Sequence, residues 1–203
     1  LGFAGDIWPV HPRHEFIEGL RCYPDVAALP AAPDASFIAV PRQGTIELVA
    51  ELSARGAGGV ICYASGFAEV GGEGVALQQQ LVAAAADMAL LGPNCYGMLN
   101  LFDRVALWPD QHGCLPIDAG PKGQKGVAII SQSGNLALNF TMQTRGLPIG
   151  YVISVGNCAD VTPADLIEAL VQDKRISAIG LHLEGLGSVA RLSEACLAAR
   201  ASG

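Results

Sequence analysis

With 203 residues, 51% of them hydrophobic and 15% charged, the chain can bury one large core or two small ones, and its composition excludes disorder. Lys and Arg number 12 against 19 Asp and Glu, a net charge of −7 with no basic run, which argues against a nucleic-acid partner. Six cysteines, at positions 22, 62, 95, 114, 158 and 196, form no C-x-x-C pair and no zinc spacing with His. They read as reduced, buried thiols of a cytoplasmic protein, with no metal site and no membrane contact expected.

No apolar run reaches the length of a membrane span, and no signal peptide is apparent. The chain starts at Leu1 without Met and stops at Gly203 just after an expected helix. Both ends read as cuts through a longer protein.

From the amino end, a short strand is expected over Asp6–Val10, then a polar loop carrying Arg13 and His14. A short helix is possible near Asp25–Ala28. Ser36–Val40 predicts a buried strand broken by Pro41, and Thr45 is expected to cap a helix to Arg55 with Ile46, Val49 and Leu52 on one face. Residues 58–63 predict the next strand, followed by the small-residue loop Ala64–Phe67. A helix over 75–88 leads to Leu90–Leu91 and the turn Gly92–Gly97. Strands alternating with helices of this length imply right-handed βαβ units and a parallel sheet.

Periodicity fades from Asp103 to Gln124, where Pro109, Gly113, Pro116, Gly120, Pro121 and Gly123 punctuate the chain, as a connection between two domains does. Val127–Ile130 then predicts a strand buried on both faces. The turn Ser131-Gln132-Ser133-Gly134 opens a helix in which Leu136 with Phe140, and Leu138 with Met142, share faces before a stop at Gly146. Strand 151–155 and the loop Gly156–Asp160 follow. Thr162 caps a helix with Pro163 at its first position and Leu166, Ile167 and Leu170 buried. A strand over 176–183 ends at Glu184-Gly185, and a last helix presents Val189, Leu192 and Cys196 on one side.

Strand, small-residue turn and helix in that order make an anion site, because the first helical amides lack partners and the dipole is positive there. Ser131 to Gly134 therefore read as a loop holding a phosphate or carboxylate, or as an ordinary helix cap. A hydrolase nucleophile elbow at Ser133 needs glycines where Ser131 and Asn135 stand, and only His182 follows it, so that reading falls away. Neither a P-loop nor G-x-G-x-x-G is present. In a parallel sheet the groups Arg13 and His14, Pro41 and Arg42, Ser65 and Gly66, and Asn94 and Cys95 should converge on one crevice at the strands' carboxyl ends, suited to a phosphate-bearing nucleotide. Cys95 is expected to face that crevice. Glu184, at the end of a strand, could orient an imidazole or simply start a helix.

Four motifs, LLGPNCYGMLN at 90–100, KGVAIISQSGNLA at 125–137, SVGNCADV at 154–161 and LHLEGL at 181–186, together resemble the nucleoside-diphosphate-forming acyl-CoA synthetases, which include ADP-forming acetate–CoA ligase and the succinyl-CoA synthetase α chain. The resemblance covers nearly the whole chain. It implies an α/β protein with two parallel-sheet domains: a Rossmann-like CoA-binding domain over 1–102, N-terminally truncated, a connection over 103–124, and a C-terminally truncated flavodoxin-like ligase domain over 125–203. It further implies that Arg13, Pro41, Ser65 and Gly66 line the CoA nucleotide and pantetheine, and that Asn94 and Cys95 lie near the CoA thiol. On the same grounds Ser131, Gln132, Ser133 and Gly134 hold the transferred phosphoryl group, and Glu184 supports a phosphohistidine outside this chain.

The implied reaction interconverts a small carboxylic acid, CoA and a nucleoside triphosphate with acyl-CoA, the diphosphate and phosphate. ATP or ADP with magnesium would be bound by an ATP-grasp domain or subunit outside this chain, in an oligomer. Two other functions remain open at this point: a non-catalytic CoA-binding or regulatory module, and a ligase-like sensor domain fused to an acetyltransferase.

Overall fold

The computed structural model describes residues 1–117 and 123–202, so Gly120 and Pro121 of the expected connection, and Gly203, lie outside the described residues. The first thirty-five residues are mostly irregular. They hold a hairpin of β1 (Phe16–Ile17) and β2 (Leu20–Arg21), turned by Glu18 and Gly19 at positive φ. The strand expected over Asp6–Val10 reduces to one bridge between Val10 and Tyr23, since Pro9 has no amide to donate. Residues 25–28 form a turn rather than a helix, with the Asp25 carboxylate accepting the Ala28 amide at 2.8 Å.

A three-stranded parallel sheet follows, built from β3 (Ser36–Ile38), α1 (Arg42–Arg55), β4 (Gly59–Cys62), α2 (Glu73–Ala85) and β5 (Ala89–Leu91), in the order β3-β4-β5. Helix α1 starts three residues before the expected cap at Thr45. Pro41 occupies the N-cap position, and the buried Thr45 hydroxyl donates back to the Pro41 carbonyl at 3.2 Å. Thr45, Val49 and Leu52 form the fully buried stripe, with Ile46 partly covered beside it. Strand β4 alternates: Val60 and Cys62 join the core under α1 and α2, while Ile61 faces the second core.

The remaining elements are β6 (Gly97–Asn100), β7 (Val105–Leu107), β8 (Gly126–Ser131), α3 (Gly134–Thr141), β9 (Ile149–Ser154), α4 (Pro163–Val171), β10 (Ile176–His182) and α5 (Val189–Ala201). They form a five-stranded sheet in the order β10-β8-β9-β6-β7, in which β10, β8 and β9 run parallel. Strands β6 and β7 are antiparallel additions: β6 pairs with β9, and β7 with β6. Residues 97–107 thus belong to the second sheet, although β6 follows directly on the turn that ends the first. Among the described residues no helix is long and apolar enough to cross a membrane.

Helix α3 ends at Thr141, short of Gly146, and buries Ala137 and Thr141 while Met142 is half exposed. The small Ala137 lets the helix lie close over Leu99 and Val152. Helix α4 has the predicted start: Thr162 caps it, Asp165 completes a capping box, and Pro163 opens it. Helix α5 packs through Leu192, Ala195 and Ala199, leaving Val189 and Cys196 exposed. The reduced-thiol expectation holds for burial at Cys22, Cys62 and Cys95. It fails at Cys196, which lies one step around the helix from the packed stripe.

Candidate functional site

All three strands of the first sheet deliver their carboxyl ends to one cavity of about 520 Å³. Pro41 and Arg42 follow β3, Tyr63 to Ser65 follow β4, and Asn94 to Tyr96 follow β5. The Arg42 guanidinium is held by the Gly66 carbonyl at 2.7 Å, and the Asn94 amide donates to the Ala64 carbonyl at 2.9 Å. Asn94 adopts the left-handed conformation, φ 57, which Asn tolerates better than most residues. Of the expected groups, Pro41, Arg42, Ser65, Asn94 and Cys95 line the cavity and Gly66 touches it through Arg42.

Arg13 is not among the lining residues. The loop instead closes on itself, with the Arg13 and His14 amides donating to His11 Nδ1 at 3.1 Å each. The Cys95 side chain also departs from expectation. It is 2% exposed and points inward, its Sγ 3.5 Å from the carbonyls of Cys62 and Leu91. Burial, reinforced by the neighbouring Cys62, pushes this thiol up to about 12, which favours its neutral form.

The second feature is the start of α3. Ser131 ends β8 fully buried, its hydroxyl donating to the Ser133 carbonyl at 2.8 Å and lying 3.4 Å from His182 Nδ1. Ser133 caps the helix by accepting the Leu136 amide at 3.3 Å. Gly134 is the first helical residue, and a Cβ there would lie 2.4 Å from the Tyr96 ring. Tyr96 therefore reaches from the lining of the cavity to the first turn of α3.

Gln132 ties this turn to Glu184. Its amide donates to the His182 carbonyl at 3.0 Å, while its side-chain oxygen accepts the backbone N–H groups of Glu184 and of Gly185, the latter at 2.8 Å. The Glu184 carboxylate is exposed. Beside it lies a smaller cavity of about 270 Å³, bordered by Gln132, Cys158, Thr162, Gly185 to Ser188 and Arg191. Arg191 is already engaged there by Asp165 at 3.0 Å and Glu168 at 3.2 Å. Among the described residues no group of three His, Cys, Asp or Glu could hold a metal ion.

The loops Gly92–Asn94 and Gly156–Asp160 interlock. Asn157 N–H donates to Pro93 O, Ala159 N–H to Gly92 O, both at 2.9 Å, and Asp160 Oδ2 accepts Leu90 N–H at 2.9 Å. The Asn157 side chain bonds Glu69 and Gln78, and meets Asn94 at 3.4 Å. Burial acts to raise the Glu69 carboxyl. The bonds from Asn157 and the amides of Gly66 and Phe67 outweigh it and hold the group below its usual range. Arg42 was already in the group expected at this crevice, whereas Asn157 and Tyr96 were missing from the residue set that the sequence pointed to. Both stood inside motifs already singled out, but nothing local marks the role of Tyr96, whose partner lies 38 positions away.

Residues 3–100 match the CoA binding domain family, and residues 124–202 match the succinyl-CoA ligase like flavodoxin domain. Over 91% of its length the chain is 39% identical to trans-feruloyl-CoA synthase FCS1 of an unknown prokaryotic organism, and it spans 26% of that protein. It is 34% identical, over 94% of its length, to the acetate–CoA ligase [ADP-forming] II subunit alpha of Pyrococcus furiosus, spanning 41% of it. A dinucleotide forming acetyl-coenzyme A synthetase 1 of Ca. Korarchaeum cryptofilum, solved in complex with phosphate and ADP, superposes with a TM-score of 0.84. That superposition covers 98% of this chain and 42% of that one at 29% identity. The chain thus spans well under half the length of these relatives. It joins a CoA binding domain to a succinyl-CoA ligase like flavodoxin domain, and it belongs to the nucleoside-diphosphate-forming acyl-CoA synthetase superfamily.

Proposed function

We propose that this chain is the CoA-binding and phosphoryl-receiving part of an ADP-forming acyl-CoA synthetase, acting with an ATP-grasp domain or subunit that binds the nucleotide. The relatives are named for feruloyl, acetate and 4-hydroxybutyrate substrates, so the shared reading is a carboxylic acid. The observation that carries it is the close approach of Tyr96 to Gly134, which brings the cavity and the α3 N-terminus to one ring. Thioester formation from an acyl phosphate requires that proximity, since one acyl carbon is bonded first to the phosphoryl oxygen and then to the thiol sulfur.

In this reading Pro41, Arg42, Ser65, Gly66 and Asn94 border the CoA chain, Arg42 supplying the cation that Arg13 was expected to bring. Cys95 contributes backbone only. Ser133 and Gly134 offer first-turn amides to the phosphoryl group, because amides at those positions have no intrahelical acceptor. Gln132, whose own amide is occupied, holds the Glu184 loop against that turn. Glu184 orients the phosphohistidine. The acid's carboxylate oxygen then takes the phosphoryl group as the N–P bond breaks. The CoA sulfur next bonds to the acyl carbon as the C–O bond to phosphate breaks, and the thiol proton leaves with phosphate or solvent. Positioning and charge stabilisation are what phosphoryl transfer chiefly needs, and a helix N-terminus supplies both.

The domain division that accompanies this reading is a CoA-binding part to about residue 96, with residues 97–107 handed to the ligase sheet. The test is incubation of the full-length protein, with its nucleotide-binding partner, with a carboxylic acid, CoA and Mg-ATP. Equal amounts of ADP, phosphate and acyl-CoA are expected. AMP and pyrophosphate, or no thioester, would overturn the reading.

A further inference from the structure

A row of aromatic rings runs between the two parts of the site. Phe37 lies 6.1 Å from Tyr63, Tyr63 stands edge-on to Tyr96 at 6.0 Å, and Tyr96 lies 5.4 Å from Trp108. These separations suit ring–ring attraction. Tyr63 and Tyr96 line the large cavity, and Tyr63 keeps 39% of its surface exposed, so the row is open at the cavity. The Tyr96 ring is fixed from three sides. Trp108 and Tyr63 pack against it, and Gly134 leaves no room for a side chain between ring and helix.

We infer that this chain selects acids with an aromatic acyl group, and that Tyr96, with Tyr63 beside it, is the residue that selects them. The inference rests on the proposed ligase reading and deepens it. The acyl carbon must lie where the CoA thiol and the phosphoryl group can both reach it, and Tyr96 is the side chain that borders both the cavity and the α3 turn. The rest of the acyl group then lies along the Tyr96–Tyr63 wall. An acetyl group covers little of that wall. A planar ring can join the row at the same spacing as its members, adding contact that an alkyl chain of equal length does not make. The cavity's other lining side chains are polar or aliphatic, Val40 and Pro41 among them, so Tyr63 and Tyr96 supply its aromatic surface.

The test is calorimetric binding of CoA, acetyl-CoA and cinnamoyl-CoA to the full-length protein and to its Tyr96→Ala and Tyr96→Phe variants. Cinnamoyl-CoA is expected to bind about tenfold or more tightly than acetyl-CoA. Tyr96→Ala should abolish that preference, weakening cinnamoyl-CoA more than acetyl-CoA or CoA, and Tyr96→Phe should keep it. Equal binding of the two thioesters, or a preference that survives Tyr96→Ala, would overturn the inference while leaving the ligase reading standing. So would a loss shared equally by CoA and both thioesters, since Tyr96 would then serve the CoA chain rather than the acyl group. Absence of binding by all three compounds would overturn the ligase reading itself.

Discussion

The ring of Tyr96 occupies the space that a side chain on Gly134 would need, at 2.4 Å from the place of its Cβ. Glycine here is demanded by a neighbour rather than by its own backbone angles. Gly134→Val should therefore drive Tyr96 out of its position, an overpacking cost of about 1–3 kcal/mol. Ser131→Ala removes the hydroxyl's bond to Ser133, about 1 kcal/mol, and disturbs no ring. Urea unfolding of both variants checks the ranking, with the valine expected to be the less stable.

Gln132 is the brace between the α3 turn and Glu184. Gln132→Leu keeps much of the volume but removes the oxygen that receives the Glu184 and Gly185 amides. Amide hydrogen exchange over 184–188 should speed up about tenfold or more, with little change in the sheet. Unchanged exchange there would show that the loop is held by other contacts.

Asn94 sits at the cavity in a left-handed conformation that aspartate also accepts, so Asn94→Asp tests charge with little backbone cost. CoA affinity of the full-length protein should fall about tenfold, and raising the salt should narrow the gap. Arg42→Ala should also weaken CoA binding, with a smaller salt dependence than the native protein. Titration calorimetry at two ionic strengths reads both effects.

Far from the cavity, Arg175 joins the 101–104 turn to the second sheet. It pairs with Asp103 and Asp173 at 2.8 Å each, meets the Tyr151 hydroxyl at 3.2 Å, and lies over the Phe102 ring at 4.7 Å. Its hydrogen bonds hold Asp173 down to about 2 and lower Asp103 as well, burial pulling the other way in both. A carboxyl lowered by folding stabilises the protein above its unfolded pKa near 4, and that stability is lost as pH falls towards about 2. Arg175→Met should cost about 1–2 kcal/mol at pH 7 and flatten the loss of stability between about pH 4 and 2. Parallel acid-unfolding curves for the two proteins would contradict this.

The sequence was most legible where periodicity and caps agree. The apolar run Val127–Ile130 lies inside β8, and Thr162-Pro163 opens α4. Pairing at long range was not legible. Gly97–Asn100 is four residues long, follows directly on a turn, and gains its strand character from β9, some fifty positions later. Side-chain direction was the other gap. Cys95 stands in the motif that lines the cavity, yet its thiol is drawn inward by the carbonyls of Leu91, inside the motif, and of Cys62, 33 positions earlier and outside it. Arg13 is the converse case: its charge suited the crevice, but its loop closes on His11 and it is not among the residues that line the cavity.

The central claim is that the α3 turn and Glu184 serve a transferred phosphoryl group. The most direct measurement is labelling of the full-length protein, with its nucleotide-binding partner, by ATP carrying labelled γ-phosphate. An acid-labile, base-stable label is expected, lost on addition of a carboxylic acid and CoA. Its yield should drop about tenfold or more in both Glu184→Gln and Gly134→Val variants that remain folded. Full labelling in both variants, or no label in the native protein, would contradict the account.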